Sequence, residues 1–429
     1  MNDQPNTNEL VDHFFRHESA NLVAALTRVF GFSKIDLVED MVQAAMLEAM
    51  NSWRQKGVPD NPAGWLHRVA RNRMLDLIRR EKAHEKALAF AARESQEFLE
   101  QCFEEDSLQD SLLRMMFVCC HPSLDRKTQI ALSLNILCGF NHREIARGLL
   151  LPVETIKKRI QRAKKSLAES NVALDYPSDD ELADRLTAVQ DVLYLLFNEG
   201  YSTTSGMEPI RDDVCEEAAR LCHLLCLHPK FGTSKTKALL SLMLFHSSRL
   251  EARTDQDGNA ILLEEQDRGL WDQDLIGVAR KWLVKSADEV PSRFHFEAVI
   301  AQYHCVAPSL EETDWKQIVQ FYDLLVTRYP SPIYRLNRAI AISQTGALDD
   351  ALNELEQLRG ERAMNGYYLL DCAFGRVHEL AGNKHAATDS YLAALSNSVA
   401  DHQKSLIKKR LHALSELPGA AGDSRNKQV

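Results

Sequence analysis

The stretch PVETIKKRIQRAKKSL, Pro152–Leu167, admits few folds. Ile156, Ile160, Ala163 and Leu167 recur at i, i+4, i+7 and i+11, which is one stripe of an α-helix. Lys158, Gln161, Arg162 and Lys165 point the opposite way. Six Lys/Arg against a single Glu make that outer face cationic. An isolated basic helix is read most plainly as a solvated face, so the residues before it decide its meaning.

Those residues are NHREIARGLL. Asn141, followed three positions later by Glu144, has the form of a helix N-cap with a reciprocal partner. Ile145, Ala146 and Leu149 then face inward on a short helix, and LLPVE breaks it, with Pro152 suited to the turn or to the first position of the next helix. A short helix, a tight turn and a longer basic helix make a helix-turn-helix. In that frame Thr155, Lys157, Lys158, Gln161, Arg162 and Lys165 meet the major groove or its phosphates. Leu150 stands in the turn, where Gly is common because a positive φ is needed.

The chain as a whole is acidic, with a formal net charge of −10 over 429 residues. That would argue against nucleic acid only if the charge were spread evenly. Residues 126–165 hold ten Lys/Arg against two Asp/Glu, and residues 51–90 hold nine against four. Two basic islands in an acidic chain form a two-point electrostatic footprint. The first island contains NPAGWLHRVARNRMLDLIRRE, Asn61–Glu81. Trp65, Leu66, Val69, Leu75, Leu77 and Ile78 supply an apolar side, and Arg68, Arg71, Arg73, Arg79 and Arg80 supply cations. An acid-led amphipathic helix, DLVEDMVQAAMLEAMNSW, and the polar loop RQKGVPD precede it. A basic helix with aromatics beside a flexible loop suits DNA whose strands have parted; an ordinary helical hairpin is the alternative.

Ala and Leu abound, helical periodicity recurs and alternating patterns are scarce, so the expected fold class is all-α, in two or three domains. Nine cysteines lack paired C-x-x-C spacing. Cys222 and Cys226, with His223 and His228, admit a metal, but no second ligand pair is apparent and an amphipathic helix burying small thiols fits better. No metal or cofactor is expected. The polar N-terminus and the lack of a membrane-length apolar run predict a cytoplasmic protein.

Taken together, the run Glu39-Asp40-x-x-Gln43 followed by NPAGWLHRVARN…D..RR resembles the second conserved region of the extracytoplasmic-function class of bacterial sigma factors. NHREIARGLLLPVETIKKRIQRAKKSL resembles its fourth. The resemblance implies a subunit that gives core RNA polymerase its promoter specificity. Asp40 and Gln43 would dock on the polymerase clamp, and the loop between Ser52 and Asn61 would capture a flipped base. Trp65, Arg68, Arg71, Asn72, Arg79 and Arg80 would hold the melted element, and the helix-turn-helix would read the distal one. Glu94–Asp110 carries seven Asp/Glu and no Lys/Arg; a solvated linker and a connector running through a basic polymerase channel both fit. The implied organisation is a polymerase- and promoter-binding domain at 8–83, a linker at 84–111, the helix-turn-helix domain at 112–170 and an extension at 178–417. The runner-up is a helix-turn-helix repressor or activator with a ligand- or protein-binding helical domain, which would have no use for a docking helix.

The extension shows a faint repeat. Gly346, Ala351, Leu355 and Leu358 recur as Gly382, Ala387, Tyr391 and Ala394, 36 residues on, near tetratricopeptide spacing. LYLLFNEGYSTTSG, LLEEQDRGLWD and APSLEETDWKQI resemble a sigma group with a long tetratricopeptide-like extension. Asn198, Glu199, Gly200 and Tyr201 are expected to be a regulatory motif that reaches the DNA-binding half. Residues Asp255–Gly258 have part of a calcium loop but lack its later acids, so a turn is expected. Glu199, Tyr201, Asp267 and His304 are potential acid–base groups with nothing in the sequence to bring them together. With no phosphate loop or nucleophile elbow, the chain is not expected to be an enzyme.

Overall fold

The computed structural model describes residues 7–82, 104–149, 151–201, 212–255, 261–288, 290–398 and 401–416. Helices dominate and no strand forms among the described residues, as the periodicity requires. Leu150, most of the acidic linker, the loop after Tyr201 and residues 256–258 lie outside them. The chain divides into two compact units, Met1–Gly200 with Asp213–Gly232 and Tyr201–Asp212 with Thr233–Val429.

In the first unit, α1 (Thr7–Phe30), α2 (Ile35–Lys56) and α3 (Pro62–Lys82) come first. Helix α2 buries Val38, Val42, Ala45 and Ala49, a stripe at helical spacing. Pro62 opens α3, where a missing N–H costs nothing, and Asn61 Oδ1 accepts from Gly64 N at 2.8 Å. The fully buried side of α3 is Leu66, Ala70 and Met74, whereas Trp65, Val69 and Leu75 are only half-buried. The large apolar residues mark this side only in part, because a small Ala and a flexible Met share its closest approach with Leu66; the side chains of Leu77 and Ile78 lie outside the described residues.

Helices α4 (Glu105–Cys119), α5 (Arg126–Ile136), α6 (His142–Gly148) and α7 (Val153–Glu169) follow. The same unit also holds α8 (Leu182–Tyr201), up to Gly200, and α9 (Asp212–Leu227) from Asp213 onward. Arg185 of α8 donates to the Phe117 carbonyl at 2.8 Å, and Arg126 donates to the Ala188 carbonyl at 3.1 Å. The first part of the extension therefore packs on α4 and α5, the helices that precede the helix-turn-helix.

The second unit runs through α10 (Ser234–Ser247), α11 (Gln273–Lys285), α12 (Arg293–Val306), α13 (Trp315–Arg328), α14 (Pro332–Gln344), α15 (Leu348–Arg359), α16 (Tyr368–Leu380), α17 (Lys384–Asn397) and α18 (Asp401–Glu416). The legible repeat is two helical hairpins, α14–α15 and α16–α17. Gly346 and Gly382 make the turns with φ of +87° and +72°, a conformation that side-chain-bearing residues rarely adopt. Ala351, Leu355 and Leu358 in one hairpin and Ala387, Tyr391 and Ala394 in the other are buried. Ile261 N donates to the Arg253 carbonyl at 2.7 Å; the turn expected at Asp255–Gly258 falls mostly outside the described residues.

No disulfide joins the described cysteines, and Cys222 and Cys226 are buried. Among the described residues no cluster of His, Cys, Asp or Glu is arranged to hold a metal, and no helix is long and apolar enough to cross a membrane.

Candidate promoter and polymerase interface

Helix α6 starts with the reciprocal cap its sequence requires. Asn141 Oδ1 accepts from Arg143 N at 2.9 Å and Glu144 N at 3.1 Å, and Glu144 Oε2 accepts from Asn141 N at 2.7 Å. Two orphan donors at the helix start are thereby satisfied. Ile145 and Ala146 point into the core, and Ile156, Ile160, Ala163 and Leu167 of α7 meet them there. Thr155, Lys157, Lys158, Gln161, Arg162 and Lys165 are all exposed. Lys165 approaches Glu169 at 3.7 Å across solvent. Lys157, Lys158 and Arg162 form no ion pair among the described residues. A cavity of about 530 Å3 lies beside them, lined by Asp125, Thr128, Lys158, Arg159 and Arg162. The basic face is therefore open to a polyanion.

The α2 face is equally open. Asp40 and Gln43 are exposed and one turn apart. Leu47, 61% exposed, and Met50, 55% exposed, continue the same stripe at i+7 and i+10 from Asp40. Sequence reading overlooked both, although two apolar residues in phase with polar, solvent-facing ones are a legible anomaly. Exposed large apolar groups aligned with an acid and an amide suit a protein partner better than water.

On α3, Arg68 and Asn72 are exposed and Arg71 is half-buried. Arg73 is drawn to Glu48 at 2.6 Å. The side chains of Arg79 and Arg80 lie outside the described residues. Trp65 sits in an aromatic cluster, edge-on to Trp53 at 5.7 Å, while Phe15 stacks on Trp53 at 5.4 Å.

Charges missed in the sequence tie these surfaces together. Lys164, buried on α7, places Nζ 2.6 and 2.5 Å from the two carboxylate oxygens of Glu39 on α2. Burial raises the Glu39 carboxyl above its ordinary range, against the opposing pull of that ammonium. Arg16 of α1 bonds Glu144 at 3.0 Å and Asp213 of α9 at 2.9 Å, with its guanidinium 4.8 Å from the Phe140 ring centre. Gly139, at φ +68°, keeps a Cβ from coming within 3.0 Å of the Arg16 carbonyl. One pair thus ties α7 to α2, and the other ties α1 to α6 and to the first part of the extension.

The Asn198–Tyr201 motif forms the last turn of α8. Burial raises the Glu199 carboxyl. Tyr201 belongs to the second unit, where its hydroxyl accepts from Arg249 at 2.9 Å and Arg253 lies 3.5 Å over its ring. Arg249 also donates to His246 Nδ1 at 2.9 Å. Burial, then the Arg249 and Arg268 guanidinium groups, push His304 down to about 3. Tyr201 and His304 thus share one arginine-rich neighbourhood. Asp267 instead caps a turn, accepting from Gly269 N at 2.8 Å.

Comparison with known proteins agrees with this geometry. Residues 14–84 match sigma-70 region 2, residues 114–167 match sigma-70 region 4, and residues 185–287 match a family of unknown function, DUF6596. An uncharacterized protein of Rhizobium meliloti (strain 1021) is 34% identical over 423 residues, covering 95% of this chain and 98% of its own length. No solved structure matches. The chain belongs to the sigma-70 family, as an extracytoplasmic-function-like factor with a long helical C-terminal extension. Its sigma-70 regions give it core RNA polymerase and promoter DNA as partners and a role in transcription initiation.

Proposed function

We propose that this protein is a cytoplasmic extracytoplasmic-function sigma factor whose tetratricopeptide-like extension regulates it. Helix α2 docks core polymerase through Asp40, Gln43, Leu47 and Met50. Helix α3 engages the melted promoter element through Trp65, Arg68, Arg71, Asn72, Arg79 and Arg80. Helix α7 reads the distal element through Thr155, Lys157, Lys158, Gln161, Arg162 and Lys165. The coexistence in one unit of an open basic recognition face and an open α2 stripe carries this reading, since a repressor needs only the first.

The regulatory part rests on the Arg16 network, in which an acid of the extension, Asp213, and an acid of the helix-turn-helix, Glu144, bind one cation of α1. A change in the extension that withdraws Asp213 alters how firmly the two promoter-binding elements are held together. The test is initiation by purified core polymerase at a promoter that core alone ignores. The full chain is expected to start transcription, and Asp213→Asn to change the yield without changing core binding. A chain that binds the promoter but never supports initiation would favour the repressor.

A further inference from the structure

In the second unit, between α10 and α12, cations gather with no carboxylate bonded to them among the described residues. Arg249, only 6% exposed, and Arg268 both lie against the Trp271 indole, their guanidinium carbons 5.6 and 4.5 Å from its ring centre. Arg268 uses one nitrogen to donate to the His304 and Ala307 carbonyls at 2.8 and 2.7 Å. Arg249 Nε, Arg268 Nη2 and Trp271 Nε1 are buried and have no hydrogen-bond partner among the described residues. Among the described residues no carboxylate pairs with Arg249, Arg253 or Arg268. The exposed Glu311 is the acid whose charge Arg268 feels, without forming an ion pair. Buried donors left unmade are costly, the more so when charged, while neighbouring like charges repel. A fold keeps such an arrangement when something of opposite charge completes it.

The opening is present. Arg268, Trp271, Gln273, Gly277, Arg280 and Cys305 line a cavity of about 530 Å3. Arg280 is exposed at its rim. A Cβ added at Gly277 would meet nothing within 4 Å, so that wall is open space. We propose that this arginine–tryptophan cavity binds a small phosphate-bearing molecule, its phosphoryl group on Arg268, Arg280 and the Trp271 N–H, and its organic part in the remaining volume. A phosphate supplies several acceptor oxygens and more than one negative charge, which matches multiple guanidinium donors. A single carboxylate offers two oxygens and one charge. The cavity exceeds what a bare phosphate occupies, which leaves room for an organic body beside it.

Calorimetric titration of the full chain tests this with inorganic phosphate as the probe and acetate as the control, at matched ionic strength. Phosphate is expected to bind with one site per chain and acetate not to bind. Arg280→Gln should weaken phosphate about tenfold, the loss of one charge-assisted bond. Gly277→Leu, which fills the cavity without touching a charge, should abolish the site, and neither change lies in the buried core. Absence of phosphate binding, affinity unchanged in both variants, or equal binding of acetate would each overturn the proposal. The measurement uses neither polymerase nor promoter, so its failure would leave the sigma-factor reading standing.

Discussion

Lys164 and Glu39, 125 residues apart in sequence, meet as an ion pair in which the ammonium contacts both carboxylate oxygens at 2.6 and 2.5 Å. One partner belongs to α7, the helix proposed to read DNA, and the other to α2, the helix that carries the proposed docking stripe. The pair holds α7 against α2, so polymerase and promoter must either accept this packing or break it.

Removing one partner strands the other. Lys164→Met should destabilise the first unit by about 3 kcal/mol, because an uncompensated charge is left in a desolvated place. Lys164→Met combined with Glu39→Gln should recover most of that loss. Chemical denaturation of the four members of the cycle measures the coupling, and strict additivity would mean that the ion pair contributes nothing.

The open face of α7 predicts a salt signature. Lys158→Ala with Arg162→Ala should weaken promoter binding and reduce the log–log salt slope by about two units, one for each phosphate deprived of its cation. Binding measured across a salt series decides this. An unaltered slope would take both residues out of the interface.

Leu47→Glu should abolish capture by core polymerase with little change in melting temperature, since the side chain is 61% exposed and holds nothing in place. Asp40→Ala with Gln43→Ala should act in the same direction. Undiminished pull-down in both would move the docking surface elsewhere.

His304 gives the second unit an acid sensitivity. Its pKa is depressed from an ordinary 6.5 to about 3, so the unfolded chain takes up a proton first as pH falls. The stability from its neutral form is full above 6.5 and drains away as pH drops toward 3. His246 is depressed in the same direction by burial, then by Arg249 and Arg253. Melting temperature should fall across this range, and His304→Phe, which keeps a ring but cannot titrate, should flatten the curve. Equal slopes for the variant and the natural chain would show that His304 does not drive it.

Local chemistry is readable from the sequence where each residue acts on its near neighbours. The Asn141–Glu144 cap, the buried stripe of α7 and the turns at Gly346 and Gly382 all follow from spacing and φ preference. Lys164 is not readable in the same way. It stands one turn after Ile160, at the edge of the apolar stripe, and only Glu39 explains why a lysine is buried there. Arg249 and Trp271 are hidden for the same reason, because their partners are brought together by tertiary packing. Tyr201 and His304 are recognisable as chemically capable, but their shared neighbourhood depends on α10 and α12 lying side by side.

Arg16 also sets where chains of this kind can be cut and rejoined. A crossover placed just after α7 would look clean, because sigma-70 region 4 ends at residue 167 and region 2 lies wholly before it. It would nevertheless separate Arg16 from Asp213 and take α8 and α9 from the helices they cover. A graft that respects the packing must carry everything through Gly232 as one inherited block. Exchange of extensions between such factors is therefore a change of a whole body of helices, and the junction that survives it lies well downstream of the DNA-reading helix.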